Sequence, residues 1–185
     1  MREIKFRGKR CKNRKWVYGY YVESDSSWNG GHPHKSWILY SPFTNGGWFA
    51  LKGKSAVIDN TVGQFTGCLD KNGTEIYEGD IVRWVELKSY YGNDFTPLEY
   101  YFIENIGVIY FENGVFGIKT EDISYVYPVC WLTGDYFTFD QDFSKEEFEE
   151  ALLNSNLENP PKDIKDVYMV EVIGNIHDNP ELVEQ

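Results

Sequence analysis

The clearest pattern in the chain is a pair of β-branched and aromatic runs separated by two turn residues. Residues 107–112 and 115–119 flank Asn113-Gly114, and Asn-Gly supplies the positive φ angles of a type I′ turn. The sequence therefore predicts a β-hairpin here. Alternating or β-rich runs predict further strands over residues 2–8, 15–23, 37–40, 48–51, 55–58, 81–87, 100–103 and 167–176.

One segment has the pattern of a helix. Ser144 and Glu147 have the spacing of a capping box, and Phe143 and Phe148 have that of a hydrophobic staple. Apolar residues then recur at helical spacing between glutamates. The pattern predicts one short helix over residues 145–153.

These elements predict a mainly β protein, α+β at most. We expect an N-terminal β region over residues 1–60, with a long loop at 24–47 around a short strand. A small β-barrel domain over residues 61–185 follows, and it includes the helix and the strand at 167–176. Residues 88–97 are interpreted as a second loop.

Composition narrows the class of protein. Aromatic residues make up 17% of the 185 residues, which favours strands over helical bundles. No run approaches the roughly 18 apolar residues of a membrane span, and the N-terminus lacks the apolar core of a signal peptide. We therefore expect a cytoplasmic protein without a membrane partner. The three cysteines form no CxxC pair, which disfavours a zinc or redox site.

The charge distribution is uneven. The net charge is −11, yet lysines and arginines crowd residues 1–15, and acidic residues dominate from Asp140 onward. A basic segment can contact nucleic-acid phosphates, but an acidic protein repels a polyanion at long range. The favoured interpretation is that the basic head lies beside the acidic tail, within one subunit or between neighbouring subunits.

Three motifs occur in a characteristic order. The chain opens with REIKFR at residues 2–7, carries GQFTG at 63–67 and DKNGTEIYEGDIVR at 70–83, and closes with EVIGNIHDNPEL at 171–182. This order resembles the YopX family of bacteriophage and prophage proteins. The resemblance implies a phage or prophage origin, a compact soluble protein and homo-oligomerisation. It implies no established activity and no catalytic or ligand residues.

The motifs also have a physical interpretation. Residues 70–73 predict a tight turn, and Gly79-Asp80 predicts a turn into a strand, similar to the diverging turn of SH3-like barrels. We therefore expect an SH3-like small barrel whose motif residues support the fold. These residues are Asp70, Asn72, Gly73, Gly79, Asp80, Gly174 and Asn175.

The sequence carries no motif for enzymatic chemistry. It lacks the glycine-rich phosphate loops, the GxSxG elbow and the HExxH helix. We therefore expect a protein that is not an enzyme and uses no cofactor. His32-Pro33-His34 is the one metal-like pair, but a site needs a further ligand. A solvated loop without metal is the favoured interpretation.

Two main function classes remain, and an enzyme without a recognisable motif ranks third. The leading hypothesis is a non-enzymatic protein-interaction module that self-associates and binds a host or phage protein. Alternation places Trp16, Tyr18 and Tyr20 on one strand face, a pattern that more often forms core or a subunit interface. The alternative is a nucleic-acid-binding protein that uses the basic N-terminal strand and nearby aromatic residues. Its candidate contacts are Lys12, Arg14, Lys15 and Trp16.

Overall fold

The computed structural model describes residues 3–24, 35–40, 53–91, 97–120, 127–128 and 144–183. Strands account for 52% of these residues, about twice the share in an average globular protein. The mainly β class is therefore confirmed. The strands are β1 (Phe6–Lys9), β2 (Trp16–Glu23), β3 (Ser36–Leu39), β4 (Lys54–Ala56), β5 (Gly63–Leu69), β6 (Glu75–Tyr77), β7 (Asp80–Tyr91), β8 (Pro97–Glu112), β9 (Val115–Lys119), β10 (Tyr127–Pro128) and β11 (Glu171–Asn175).

The strands form two antiparallel sheets. The first sheet has the order β4-β3-β2-β1-β5-β6, and the second has the order β10-β9-β8-β7-β11. Among the described residues neither sheet closes into a barrel, whereas the sequence predicted an SH3-like small barrel. In the second sheet β11 pairs with β7 and β10 pairs with β9. These two short strands therefore lie at opposite edges of the sheet and do not pair with each other, as closure would require.

The chain divides into two compact units. Unit 1 consists of Met1–Gly67 and Tyr77–Gly79, and unit 2 consists of Cys68–Ile76 and Asp80–Gln185. In unit 1 the core lies on one side of the first sheet, where buried Val17, Ile38 and Val57 pack together. In unit 2 the second sheet has a hydrophobic cluster around Trp84 and another around Val85.

The predicted hairpin over residues 107–119 is confirmed. Glu112 pairs with Val115, and Asn113 and Gly114 have φ angles of 52° and 83°, as a type I′ turn requires. The predicted loop at residues 88–97 is shorter than expected, because β7 continues to Tyr91 and pairs with β8 from Ile81 to Tyr91. Cross-strand aromatic pairing extends this ladder beyond the apolar run that the sequence displays.

The predicted helix is also confirmed. Helix α1 spans Lys145–Asn154, and Ser144 and Glu147 form the capping box from both sides. Buried Phe148 and Ala151 pack against Val85 and its neighbours. Phe143, the other half of the predicted staple, lies outside the described residues.

The C-terminal strand is shorter than the predicted 167–176. A 3-10 turn occupies Ile164–Asp166, and β11 spans only Glu171–Asn175. Tyr168 has a φ of 65°, a left-handed conformation that a strand does not accommodate. Its N–H donates to the Val85 carbonyl at 2.8 Å, so tertiary contact decides the backbone here.

Three further predictions lie mostly or wholly outside the described residues. The strand at 48–51 and the His32-Pro33-His34 pair are outside them, and of the loop at 24–47 only Ser24 and residues 35–40 are described, which include β3. Among the helices of the described part of the chain, none is long and apolar enough to cross a membrane.

Candidate functional site

The middle and closing sequence motifs meet in unit 2 through Asp70. Its Oδ1 accepts hydrogen bonds from the backbone N–H groups of Asn72 and Thr74 at 2.8 and 2.7 Å. Its Oδ2 accepts from the Val172 N–H at 3.0 Å. One buried carboxylate therefore shapes the turn and ties it to an edge strand that is 102 residues away.

An ion cluster lies beside this junction. The Glu171 carboxylate accepts from Arg83 Nη2 at 2.8 Å and is 2.9 Å from Lys71 Nζ. The hydrogen bond from Arg83 and the nearby Lys71 hold the pKa of Glu171 at about 2. These residues line a cavity of about 560 Å³. Arg83 Nη1 also lies 3.8 Å from Glu104 Oε2, so two cations face two carboxylates and the ion cluster carries no net charge.

The remaining motif residues support turns and close packing. Gly79 has a φ of 81°, a conformation that suits glycine, and Asp80 is buried where β7 begins. A Cβ on Gly174 would lie 2.7 Å from Asn179 Oδ1. The Asn175 Oδ1 accepts from the N–H groups of the next turn at 2.9 and 3.1 Å. Gly73, at a φ of 82°, completes the Asp70 turn.

A second cluster lies in unit 1, on the side of the first sheet opposite the Val17 core. Directly paired strand residues share a face, and the register pairs Lys9 with Trp16 and Arg7 with Tyr18. The same face continues across β2, β3 and β4, where paired residues form rows across the strands. One row consists of Tyr20, Leu39 and Lys54, and the next consists of Val22, Trp37 and Ala56. None of these strand residues is acidic.

The cations on this side are stacked on aromatic rings. The Arg7 guanidinium lies 4.6 Å from the Trp16 ring centroid and 4.9 Å from that of Tyr77. Lys9 Nζ lies 5.4 Å from the Trp16 ring, and Lys54 Nζ lies 5.0 Å from the Trp37 ring. Lys5 Nζ likewise lies 4.9 Å from the Phe65 ring centroid. Such contacts attract a cation to the face of the ring. We call this surface the cation–aromatic face; it comprises Lys5, Arg7, Lys9, Trp16, Tyr18, Tyr20, Trp37, Lys54, Phe65 and Tyr77.

Two rings of the cation–aromatic face remain open to solvent. Tyr18 is 48% exposed and Tyr20 is 68% exposed, so neither belongs to the core of this chain. Tyr18 also meets the Tyr77 ring edge-on at 5.6 Å, which fixes its orientation. The face therefore presents two exposed π surfaces, with the exposed Lys54 in the same row as Tyr20.

The turn between β1 and β2 presents the basic residues that the sequence singled out. Lys12, Arg14 and Lys15 are all exposed there, and Arg14 has a φ of 60°. Trp16 follows at the start of β2, partly buried between Arg7 and Lys9. The structure thus places all four candidate nucleic-acid contacts at or beside one end of the cation–aromatic face.

Sequence reasoning missed most of this face. Arg7 and Lys9 alternate along the chain and were visible as a basic stripe, but nothing in the sequence joined them to Tyr77 or Lys54. Tyr77 and Lys54 come to the same side of the sheet only through the order of the strands, β4-β3-β2-β1-β5-β6. No group of three potential metal ligands occurs among the described residues.

Comparison with known proteins identifies the family and gives no activity. No curated protein matches the chain. The solved structure titled "Crystal structure of protein EF1440 from Enterococcus faecalis" is similar at 20% identity and a TM-score of 0.45, covering 100% of both chains, a likeness too low to carry an argument. The model of the family described as YopX protein matches residues 5–184. The chain therefore belongs to the YopX family.

Proposed function

We propose that this protein is a non-enzymatic interaction module, encoded by a phage or prophage and acting in the cytoplasm of the host cell. Its binding surface is the cation–aromatic face. The observation that carries this proposal is exposed positive charge beside open rings: Lys12, Arg14 and Lys15 are exposed at the β1–β2 turn, and Tyr18 and Tyr20 are exposed on β2 next to it.

The sign of this charge selects the kind of partner. Packing two copies face to face would oppose lysine and arginine to lysine and arginine, which costs free energy. An anionic macromolecule instead gains from every cation. The net charge of −11 does not prevent this, since charges beyond about 8 Å are largely screened at physiological salt.

Binding to a simple polyanion tests the proposal. A labelled heparin oligosaccharide is titrated by fluorescence anisotropy at about 50 and about 200 mM salt. We expect saturable binding that weakens steeply with salt. The double variant Lys12→Glu/Lys15→Glu, at the turn beside the face, should bind at least about tenfold more weakly, because four units of charge change near the anion.

The matched control is Lys145→Glu/Lys165→Glu. It makes the same change in net charge at exposed positions of unit 2 and should leave heparin binding unchanged. No binding at the lower salt, or an equal loss in the control, would show that the face is not an anion-binding surface.

Self-association is a second candidate, favoured by the exposed tyrosines of the β7–β8 hairpin. Tyr90 and Tyr101 stack with ring centroids 4.9 Å apart, and Tyr90 and Tyr91 are 60% and 62% exposed. Exposed aromatic groups of this kind are typical of interface anchors. Light scattering after size exclusion should give a multiple of 21.6 kDa that falls in Tyr90→Ser/Tyr91→Ser. A monomeric wild-type protein would remove this candidate.

A further inference from the structure

The cation–aromatic face has a repeat of two residues along β2. Trp16 shares its row with Lys9, Tyr18 with Arg7, and Tyr20 with Lys54. Each aromatic ring thus has a cation at the same level of the sheet. Two residues of an extended strand advance about 6.6 Å, so ring and charge recur together at that distance.

This repeat matches an extended polynucleotide. Successive nucleotides of one strand rise about 3.4 Å in duplex DNA, and a strand stretched to about twice that rise brings one base to each successive ring of β2. Tyr18 and Tyr20 are the rings open enough to stack on bases. The exposed Lys12, Arg14 and Lys15 lie in the turn just before β2, next to the first of the aromatic residues along that strand.

We infer, on the basis of the proposed function, that the anionic partner is a single-stranded nucleic acid, bound along β2 with one nucleotide for every two residues. The bases stack on the exposed tyrosine rings, and the phosphates lie near the exposed Lys54 of the face and the exposed basic residues of the β1–β2 turn. The buried Arg7 and Lys9 stack on the Trp16 ring and hold it in place beside Tyr18.

The rings discriminate among anionic partners. The face of an aromatic ring carries negative charge density, so a carboxylate of an acidic protein segment gains nothing above Tyr18 or Tyr20. A nucleobase stacks there regardless of its sequence. A duplex keeps its bases paired and stacked internally, so it can offer only phosphates to the flanking cations.

The test uses a fluorescein-labelled oligothymidylate of about 12 nucleotides, a length that single-strand-binding folds commonly cover. We expect anisotropy to rise to saturation, and Tyr18→Leu and Tyr20→Leu each to weaken binding roughly tenfold. A duplex of mixed sequence should bind more weakly than the single strand. Phe111→Leu is the matched control, since this ring is 46% exposed, close to the value for Tyr18, but lies in unit 2, and it should leave the affinity unchanged.

The outcomes separate this inference from the proposed function. If heparin binds and depends on Lys12 and Lys15, but neither tyrosine substitution affects the oligonucleotide, the face binds anions without base stacking and the inference is wrong. Duplex binding as tight as single-strand binding also overturns it. If neither polyanion binds, both proposals are wrong. Thermal melting of each tyrosine variant at the wild-type midpoint establishes that a loss of affinity comes from the ring.

Discussion

Replacing Asp70 with alanine removes a carboxylate that organises two distant parts of unit 2. Three backbone N–H groups lose their acceptor: those of Asn72, Thr74 and Val172, now at 2.7 to 3.0 Å. Asn72 and Thr74 are exposed, so water replaces the acceptor there at a cost of roughly 1 kcal/mol in total. The Val172 N–H is partly buried on an edge strand, and leaving it without an acceptor costs roughly 1–3 kcal/mol more.

We therefore expect Asp70→Ala to lower the free energy of unfolding by about 2–4 kcal/mol. Guanidinium denaturation followed by tryptophan fluorescence measures this as a lower midpoint with an unchanged slope. Asp70→Asn should be intermediate, because its amide oxygen can still accept from the turn while its NH₂ group faces the Val172 N–H. Asp59→Ala, which removes an exposed carboxylate from a 3-10 turn of unit 1, is the control and should change stability little. A wild-type midpoint for Asp70→Ala would refute the assigned role.

Three further predictions concern other motif and capping residues. Gly79→Val should destabilise the folded protein by roughly 1–3 kcal/mol, because φ at this position is 81° and a β-branched residue is strained there. Asp80→Ala should also lower the melting temperature, whereas an unchanged melting midpoint would point to a functional Asp80. The pKa of Glu171 falls from 4.5 to about 2 on folding, so its ion cluster stabilises the protein above about pH 4.5, and this stabilisation is lost as pH falls towards 2. The difference in free energy of unfolding between wild type and Glu171→Gln, measured by urea unfolding across this range, should therefore narrow with falling pH. A constant difference would contradict the assignment. Ser144→Ala should cost about 1 kcal/mol of stability in chemical denaturation, while an unaltered midpoint would show that the cap is dispensable.

Local features were predictable because short-range sequence determines them. The Asn113-Gly114 turn and the Ser144 capping box involve residues within a few positions of one another, and their backbone geometry is as expected. The β7 strand was predicted too short, since its last residues, polar and aromatic, are held by pairing with β8. That pairing partner is not visible in the local pattern.

The candidate site divides in the same way. The basic turn and Trp16 stood out in the sequence because they are contiguous. The conclusion that Tyr18 and Tyr20 are exposed needed the structure, since alternation places residues on a face without saying which face is covered.

The sequence by itself determined the family, the mainly β class, the hairpin and the single helix, since each depends on motifs or on neighbouring residues. Only the tertiary structure decided that Asp70 binds the Val172 backbone and that Arg7 lies between Trp16 and Tyr77. Both arrangements depend on which strands become neighbours. Strand order follows from long-range burial and backbone pairing, and a one-residue change of register would turn every side chain of a strand to the opposite face.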